Sequence, residues 1–269
     1  MDAIVKSFRT QKAGNAFEEC EDKSYSKSLL NERQGVYRFS SQNLLVFGVA
    51  DGATEGMFSG VWAEILVKAF CRSKNNNVDI GYVVNKASKD WDSWMRNYIA
   101  ERGRHNKPIQ WYEEPGLRAG SFSTLLGLIL TYSEGSHSNI WHTLAVGDTC
   151  LFCVRDGKLV LRFPIENSAD FSNHPSLISS NLERNKDVFE SRRFLQSEWH
   201  THDIFYIMTD ALACWFLQEY EAGNSPWCSF PFVSHGSDEV TFESWVDSLR
   251  NAKKMKNDDV TLIHVEVVE

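Results

Sequence analysis

The stretch "VFGVADGATEG", residues 46–56, places a carboxylate where an apolar run ends. Its first five residues carry no charge and are typical of a buried strand. Asp51 and Gly52 follow at once, and a polar turn comes after them. A strand fixes the position of the side chain at its end, and a glycine leaves the adjoining backbone free to bend and open to approach. The stretch therefore predicts a strand over 44–50 that presents Asp51 at an edge.

Two further aspartates stand at the ends of apolar runs. Asp210 follows the run 204–209, and Asp258 precedes the run 260–268. If these strands are neighbours in one sheet, the three aspartates meet at one edge, where their charges repel unless a cation lies among them. Oxygen ligands suit Mg²⁺ or Mn²⁺ better than Zn²⁺. For each aspartate taken singly, a turn or helix cap is the alternative interpretation.

The order of the elements predicts the α+β fold class. Neighbouring strands with short turns favour antiparallel sheets over a doubly wound parallel sheet, and the helices are expected to pack on those sheets. We expect residues 1–269 to form one domain. Apolar spacing predicts helices over 57–70, 78–101, 212–222 and 241–256, two strands over 35–50 with a turn near 41–43, a loop over 103–118 and an irregular segment over 164–200.

The composition excludes several classes of protein. Hydrophobic residues make up 42% of the 269 residues and the net charge is −8, so the chain can form a core and is a poor partner for nucleic acid. No segment approaches the roughly 18–20 apolar residues of a membrane helix, and the start of the chain has no signal-peptide run. We expect a cytoplasmic, monomeric protein with no membrane or nucleic-acid partner.

Other residues that could bind a metal have simpler interpretations. Cys150 and Cys153 form a lone CxxC, and residues three apart on a strand point to opposite faces, which favours buried reduced thiols. His200 and His202 could be ligands, but an exposed pair is the favoured interpretation. Asp148 is interpreted as a residue of a tight turn.

Six motifs in order resemble those of one family. The motifs are "CEDKS" (20–24), "VADGATEG" (49–56), "AGSFSTLLGLIL" (119–130), "LAVGDTCLFCVRDGKL" (144–159), "IMTDAL" (207–212) and "DDVTLIHVEV" (258–267). They are similar to the acidic, Asp-Gly-His-Gly, Ser-Gly-Ser-Thr-Ala, Val-Gly-Asp-Ser-Arg, Ser-Asp-Gly and Asp-Asn-x-Thr motifs of type 2C metal-dependent protein Ser/Thr phosphatases. The sequence is therefore identified as resembling a bacterial, stand-alone catalytic domain of that family.

The resemblance implies a fold, two ions and a set of ligands. The implied fold is a four-layer α-β-β-α sandwich, in which two antiparallel sheets are flanked by helices. Two Mn²⁺ or Mg²⁺ ions would lie at one end of it. Carried over by position, Asp51 bridges both ions, the Gly52 carbonyl and Glu21 serve one ion, and Asp210 and Asp258 serve the other. Asp22 lies just behind these ligands, and Asp51 and Asp210 are the residues that catalysis requires.

The implied reaction is hydrolysis of phosphoserine or phosphothreonine in a protein. Two such ions lower the pKa of a shared water toward neutrality, and the resulting hydroxide attacks phosphorus. The ions also neutralise charge on the phosphoryl oxygens. The substrate would be a phosphoprotein whose cognate Ser/Thr kinase is a separate chain, and residues 164–200 would form the variable flap beside the site.

The sequence departs from the family pattern at positions that matter for turnover. Ala53 replaces the family's His, which assists the leaving group, with Thr54 and Glu55 as the nearest polar residues. Phe17 replaces an Arg that grips phosphate, with Lys12 or Arg118 as possible substitutes. Residues 105–123 offer only Glu113 and Glu114 as a third-metal acid, and Ala211 replaces a glycine. An inactive or weakly active phosphoprotein-binding module is therefore the alternative function.

Overall fold

The structure is a computed structural model that describes residues 1–26, 34–54, 56–73, 79–133, 138–172, 174–232 and 241–268. In these ranges the strands are β1 (Ala3–Thr10), β2 (Lys23–Tyr25), β3 (Gln34–Phe39), β4 (Leu44–Ala50), β5 (Phe122–Ser123), β6 (Leu125–Ser133), β7 (Ser138–Val146), β8 (Cys150–Arg155), β9 (Lys158–Phe163), β10 (Ile178–Ser179), β11 (Arg193–Glu198), β12 (Ile204–Met208) and β13 (Val260–Val267). The helices are α1 (Ser59–Cys71), α2 (Ile80–Arg104), α3 (Glu114–Ala119), α4 (Val188–Ser191), α5 (Asp210–Glu221) and α6 (Phe242–Asn251).

Two large antiparallel sheets form the middle of the molecule. One has six strands in the order β3-β1-β13-β12-β8-β9, and the other has five in the order β11-β7-β6-β4-β2. A two-stranded pair, β5 with β10, lies beside them. Each pairing within the large sheets is antiparallel, as the short turns in the sequence predict.

Alternating side chains give each sheet two buried faces. In β4, Phe47 and Val49 point into the core between the two sheets, whereas Ala50 contacts the layer of α1 and α2. In β12, Phe205 and Ile207 point into the same inner core, whereas the alternate residues Ile204, Tyr206 and Met208 pack against α5 and α6. The layers thus run helix, sheet, sheet, helix, which confirms the predicted four-layer α+β sandwich.

The cysteine pattern follows from the same alternation. Cys153 belongs to the core between the sheets, and Cys150 belongs to the layer formed with α5 and α6. Both thiols are buried and free of disulfides. The CxxC therefore places its sulfurs on opposite faces of β8, as predicted.

Several elements differ from the sequence prediction. Strands β3 and β4 flank the predicted turn but belong to different sheets. The predicted loop over 103–118 contains most of α3, and the edge strand β11 crosses the segment predicted to be irregular. Helix α6 ends at Asn251 instead of 256, because Lys253 has the left-handed φ of 56°, which α-helical backbone does not adopt. Residue 78, the predicted start of α2, lies outside the described residues.

No helix among the described residues is both long and apolar enough to cross a membrane.

The contact between α1 and the five-stranded sheet depends on Gly127 of β6. A Cβ at this position would overlap the ring of Phe70, which is 2% exposed. Phe70 lies in the last turn of α1, so this close approach helps to fix the helix whose first turn lies beside Asp51. The absence of a side chain at Gly127 is therefore a packing requirement.

We predict that Gly127→Ala lowers the free energy of unfolding by about 2 kcal/mol, because the added methyl overpacks a closed core. Denaturant unfolding of the intact chain measures this. The control is Gly103→Ala in α2, where a Cβ would meet no atom within 4 Å. That change should be neutral or stabilising by about 0.5–1 kcal/mol. Equal effects of the two substitutions would contradict the packing argument.

Candidate metal centre

Aspartates from three distant segments meet at one end of the sandwich. Asp51 follows β4, Asp210 follows β12, and Asp258 precedes β13, which runs antiparallel to β12. Asp51 belongs to the five-stranded sheet and the other two to the six-stranded sheet, so the expectation of a single sheet edge is wrong. The aspartates meet across the two sheets instead. All three line one cleft of about 440 Å³.

The cleft places several negative charges around Asp51. Burial raises the pKa of Asp51 well above its ordinary value, and the charges of Asp22, Asp210, Asp148 and Asp258 raise it further. Carboxylates that raise one another's pKa in this way favour protonation or a bound cation. The electrostatic cause therefore identifies the cluster independently of the motifs.

The backbone of Asp51 is fixed, whereas its carboxylate is not. Its N–H donates to Thr124 Oγ1 at 2.9 Å, and its carbonyl accepts bonds from Ser123 Oγ at 2.7 Å and from the Thr124 N–H at 2.9 Å. Within the described part of the chain, no group donates a hydrogen bond to the carboxylate itself. The strand end thus presents an oxygen ligand whose lone pairs remain available.

Gly52 is required by its contact with α1. A Cβ there would lie 2.7 Å from the Ser59 carbonyl carbon and 3.0 Å from the Gly60 nitrogen, which are backbone atoms that cannot move aside. In the sequence, the role predicted for this glycine is to leave the backbone open to an ion. The structure adds a second reason, which is the steric clash with α1 that any side chain would cause. The close contact sets the start of α1 directly against the Asp51 turn.

Lys256 bridges Asp210 and Asp258. Its ammonium lies 2.6 Å from Asp258 Oδ2 and 3.5 Å from Asp210 Oδ2. Asp210 also accepts a bond from the Ala211 N–H at 2.6 Å, and Asp258 accepts one from the Asp259 N–H at 3.1 Å. This one lysine therefore neutralises part of the negative charge of the cluster. Because its side chain is 62% exposed, it can rotate away from these carboxylates without disturbing the fold.

Asp22 lies fully buried behind the cleft. Thr209 Oγ1 donates to its Oδ2 at 2.9 Å, whereas its Oδ1 has no hydrogen-bond partner among the described residues. Burial raises the pKa of Asp22 well above its ordinary value, and the charge of Asp259 adds to this. An unpaired buried carboxylate oxygen next to other acids is a site where water or a cation is favoured.

Glu21 faces the first turn of α1. Its Oε2 accepts a bond from Thr54 Oγ1 at 2.8 Å, and its Oε1 accepts one from Ser59 Oγ. Glu21 is absent from the main charges that act on Asp51, and it does not line the cleft. The structure thus brings Asp51, Gly52, Asp210 and Asp258 together and holds Glu21 on hydroxyl groups at one side.

Asp148 lies in the predicted turn and also lines the cleft. The turn joins β7 to β8, and the residue is 6% exposed. Burial, followed by the charges of Asp210 and Asp258, raises its pKa to about 7. The sequence prediction that Asp148 is a turn residue did not include its place in the cleft. That place depends on β4, β8 and β12 coming together, which local sequence does not show.

Sequence reasoning missed the residues that hold the acids in place. Thr209 reaches Asp22 and accepts a bond from the Thr261 N–H at 3.0 Å, and Thr124 holds Asp51. Asp259 accepts bonds from the Lys12 and Glu21 N–H groups at 2.8 and 2.7 Å. Thr124, Thr209 and Asp259 all stand within the quoted motifs, and the last two are each next to a proposed ligand in sequence, which is the signal that could have found them.

The alternatives proposed from sequence, which were the histidine pair, Lys12 and Arg118, are not among the described residues that line the cleft. His200 and His202 are exposed in the turn before β12. Arg118 is 82% exposed, pairs with Glu114 and lines a different cavity. Phe17 stacks under the guanidinium of the buried Arg9 at 4.6 Å, and Glu55 lies outside the described residues. Among the described residues, Lys256 is the lysine or arginine that lines the cleft.

The residues fit hard divalent cations without forming a finished cage. Among the described residues, no three His, Cys, Asp or Glu side chains are close enough to make a ready metal site. The acidic side chains in the cleft are nevertheless oxygen donors, one buried oxygen of Asp22 has no partner among the described residues, and an exposed lysine pairs with two of the acids. This chemistry suits Mg²⁺ or Mn²⁺.

The sequence matches the family model described as Protein phosphatase 2C over residues 23–251. The chain belongs to the protein phosphatase 2C family. None of the curated protein sequences gives a significant match. Family membership therefore rests on the family model and on the motifs that the cleft assembles.

Solved structures of protein phosphatase 2C domains share the fold. The catalytic domain of the serine threonine protein phosphatase PstP in complex with two manganese ions superposes with a TM-score of 0.55 at 13% identity, covering 100% of both chains. PstP/Ppp of Mycobacterium tuberculosis gives 0.51 at 13%, again covering 100% of both. The photosystem II phosphatase PBCP gives 0.55 at 12%, covering 98% of both. At such low identities these likenesses show the fold alone.

The raised pKa values predict how stability depends on pH in the absence of divalent metal. The pKa of Asp148 is raised from its ordinary value of 3.8 to about 7 in the folded chain, so the folded state binds this proton more tightly than the unfolded state does. The folded state then holds more protons than the unfolded state, so stability falls as pH rises between these two values. In EDTA we expect a higher unfolding temperature near pH 5 than near pH 8, measured by circular dichroism.

Two controls accompany the pH measurement. Asp148→Asn removes one titrating group and should flatten the dependence. Mn²⁺ added near pH 8 should raise the unfolding temperature, because it binds the folded cluster. An unfolding temperature that rises steadily from pH 5 to pH 8 in EDTA would contradict the assignment.

Proposed function

We propose that this member of the protein phosphatase 2C family is an active, metal-dependent protein Ser/Thr phosphatase. The observation that carries the proposal is the convergence of Asp51, Asp210 and Asp258 on one cleft, since the same three residues occupy the family's ligand motifs. The substrate class is a phosphoserine or phosphothreonine side chain of a protein. A separate Ser/Thr kinase supplies that substrate, and the enzyme acts as a monomeric single domain in the cytoplasm.

The proposed ligands are those carried over from the family motifs. Asp51, the Gly52 carbonyl, Asp210 and Asp258 would hold two Mn²⁺ or Mg²⁺ ions, with Glu21 and Asp22 acting through water. Bound there, the ions supply an activated water and neutralise phosphoryl charge. Thr124 and Thr209 orient this set by fixing the Asp51 backbone and the Asp22 carboxylate.

The ammonium of Lys256 changes partner in this proposal. Without metal it neutralises Asp258 and Asp210, from which it lies 2.6 and 3.5 Å away. Cations held by those carboxylates would free this exposed side chain to face a phosphate dianion in the cleft that it lines. It then takes over the anion-binding role that the family gives to the Arg replaced here by Phe17.

The leaving group needs a proton donor other than Ala53. Of the described histidines, His174 is the one that lines the cleft. It lines the same cleft as Asp51 and Gly52, and imidazole is the commonest proton-transfer group near neutral pH. His174 is therefore the proposed general acid for the departing serine or threonine oxygen.

The metal-ligand assignment predicts the effect of two substitutions. Asp51→Asn and Asp210→Asn should each lower Mn²⁺-dependent hydrolysis of an aryl phosphate by about a thousandfold, because each removes a charged ligand. The matched control is Asp156→Asn on the exposed turn between β8 and β9, which should retain activity. Undiminished turnover in excess EDTA would rule the mechanism out.

The proton-donor assignment predicts a split between substrates. His174→Gln should slow hydrolysis of a phosphoserine peptide about a hundredfold, since an alkoxide leaves poorly without a proton. Nitrophenyl phosphate should change less than about twofold, because nitrophenolate leaves readily without one. His200→Gln, exposed and remote from the cleft, is the control. Equal losses on both substrates would point to a structural role, and no loss would remove His174 from the mechanism.

The alternative function is a phosphoprotein-binding module with little turnover. It is favoured by Ala53 and Phe17 and by the lysine that pairs with two proposed ligands. Calorimetry with Mn²⁺ separates the two functions. Metal binding without hydrolysis of any phosphopeptide would support the module, whereas metal binding with turnover supports the enzyme.

A further inference from the structure

A second groove opens directly beside the cleft. It has a volume of about 490 Å³ and runs between α5 and the turn that follows α6. Its lining shares Ser172, Asp210 and Lys256 with the cleft, so a ligand can extend from one into the other. The groove is therefore placed to receive chain that adjoins a phosphorylated residue.

The groove is basic although the whole chain is acidic. Four of the seven residues 250–256 are Arg or Lys, in a protein of net charge −8. All four line the groove, and Asp210, at its junction with the cleft, is the one acid among the described lining residues. A basic concavity in an acidic protein attracts anions locally while the rest of the surface repels them.

Two of the four basic residues are available to a ligand. Lys253 and Lys254 are exposed, and Lys254 contacts Glu219 at 3.4 Å. Among the described residues, no acid pairs with Lys253. Their backbone N–H groups donate to the Arg250 and Leu249 carbonyls at 2.9 Å, which fixes the turn that carries them.

Arg250 supports the groove from beneath. It is 6% exposed and donates to the Asp258 carbonyl at 2.6 Å and to Asp247 Oδ1 at 2.9 Å. It thus joins the groove wall to a proposed metal ligand. Cations at the end of α6 also suit the helix dipole, but this does not account for lysines that continue past the helix as far as 256.

Two residues of the groove wall carry buried donors without an acceptor. The indole Nε1 of Trp215 and the Nε of Arg250 are buried and have no acceptor among the described residues. Both residues line the groove. Buried N–H groups without acceptors are unfavourable, so this part of the wall has more donors than acceptors.

We propose that this groove binds acidic residues that flank the phosphorylated side chain, so that the enzyme selects phosphopeptides with Asp or Glu next to the phosphoresidue. The inference rests on the proposed function, because it places the phosphate in the neighbouring cleft. Lys253 and Lys254 supply the charge, and the apolar parts of Trp215 and Met255 contact the stems of the bound side chains. Charge complementarity and the shared wall are the grounds for this occupant.

The test compares peptides and two matched variants of the intact chain. Four phosphothreonine peptides carry several Glu or several Gln residues, placed either before or after the phosphothreonine. Nitrophenyl phosphate, which has no flanking residues, is the fifth substrate. Lys253→Gln with Lys254→Gln removes the groove charge. Lys86→Gln with Lys89→Gln on α2 removes the same charge from the opposite helix layer, and Lys86 likewise contacts an acid, Asp90, at 3.4 Å.

We expect the wild-type enzyme to hydrolyse the Glu-flanked peptide faster than the Gln-flanked peptide for one of the two sides, the side whose flanking residues enter the groove. The groove variant should lose about fivefold in kcat/KM on that peptide, as two partly screened contacts imply, and keep its activity on nitrophenyl phosphate. The α2 variant should match the wild type. Equal rates on all peptides, or a preference that survives in the groove variant, would overturn the groove while leaving the phosphatase in place.

A failure of the proposed function is recognised separately. It would appear as no hydrolysis of nitrophenyl phosphate or of any peptide. The groove is then judged by fluorescence anisotropy with labelled, unphosphorylated Glu-rich and Gln-rich peptides, which needs no turnover. Binding of the Glu-rich peptide that the groove variant loses would sustain the inference, and equal binding of both peptides would reject it.

Discussion

The structure depends on one unfavourable interaction, the repulsion among acids that the two sheets bring to one end of the sandwich. Asp22, Asp51, Asp148, Asp210 and Asp258 come from five segments, and each position follows from a strand end or a turn. Burial weakens the screening that water gives to surface charges, so their repulsion acts on the fold itself. The surrounding apolar layers oppose it, because the closely packed cores on both sides of each sheet leave the strand ends no room to separate.

Neutral hydroxyl and amide groups orient these acids without neutralising them. Thr209 bonds Asp22 and the Thr261 N–H, which ties β12 and β13 to the acidic segment near residue 20. Asp259 accepts bonds from the Lys12 and Glu21 N–H groups and so closes the same segment onto the last strand. Such contacts fix direction but leave the negative charge intact. The neutral groups thus fix where the acids lie but do not cancel their negative charge. A cation is needed to balance that charge.

The sequence was most informative where a motif and a strand coincide. The strand over 44–50 and the placement of Asp51, Asp210 and Asp258 at strand ends follow from apolar runs, which are local. The assignment of β3 and β4 to different sheets and the edge strand β11 depend on partners far along the chain, so local pattern did not give them. The position of Asp148 in the cleft was missed for the same reason. Lys256 stands in a basic run that is visible in the sequence, but its contacts with Asp210 and Asp258 arise only when the turn before β13 meets the end of β12.

Lys256 connects the two electrostatic regions of the molecule. It belongs to the lining of both the acidic cleft and the basic groove, and its ammonium lies on Asp258 in the absence of metal. A divalent cation on Asp258 would free Lys256 from that carboxylate, because the carboxylate cannot satisfy both at full strength. The freed ammonium would then stand where the cleft and the groove join, beside the phosphate of the substrate. Occupation of the cleft and attraction of the substrate would thereby be coupled through a single flexible side chain, without a change in the fold.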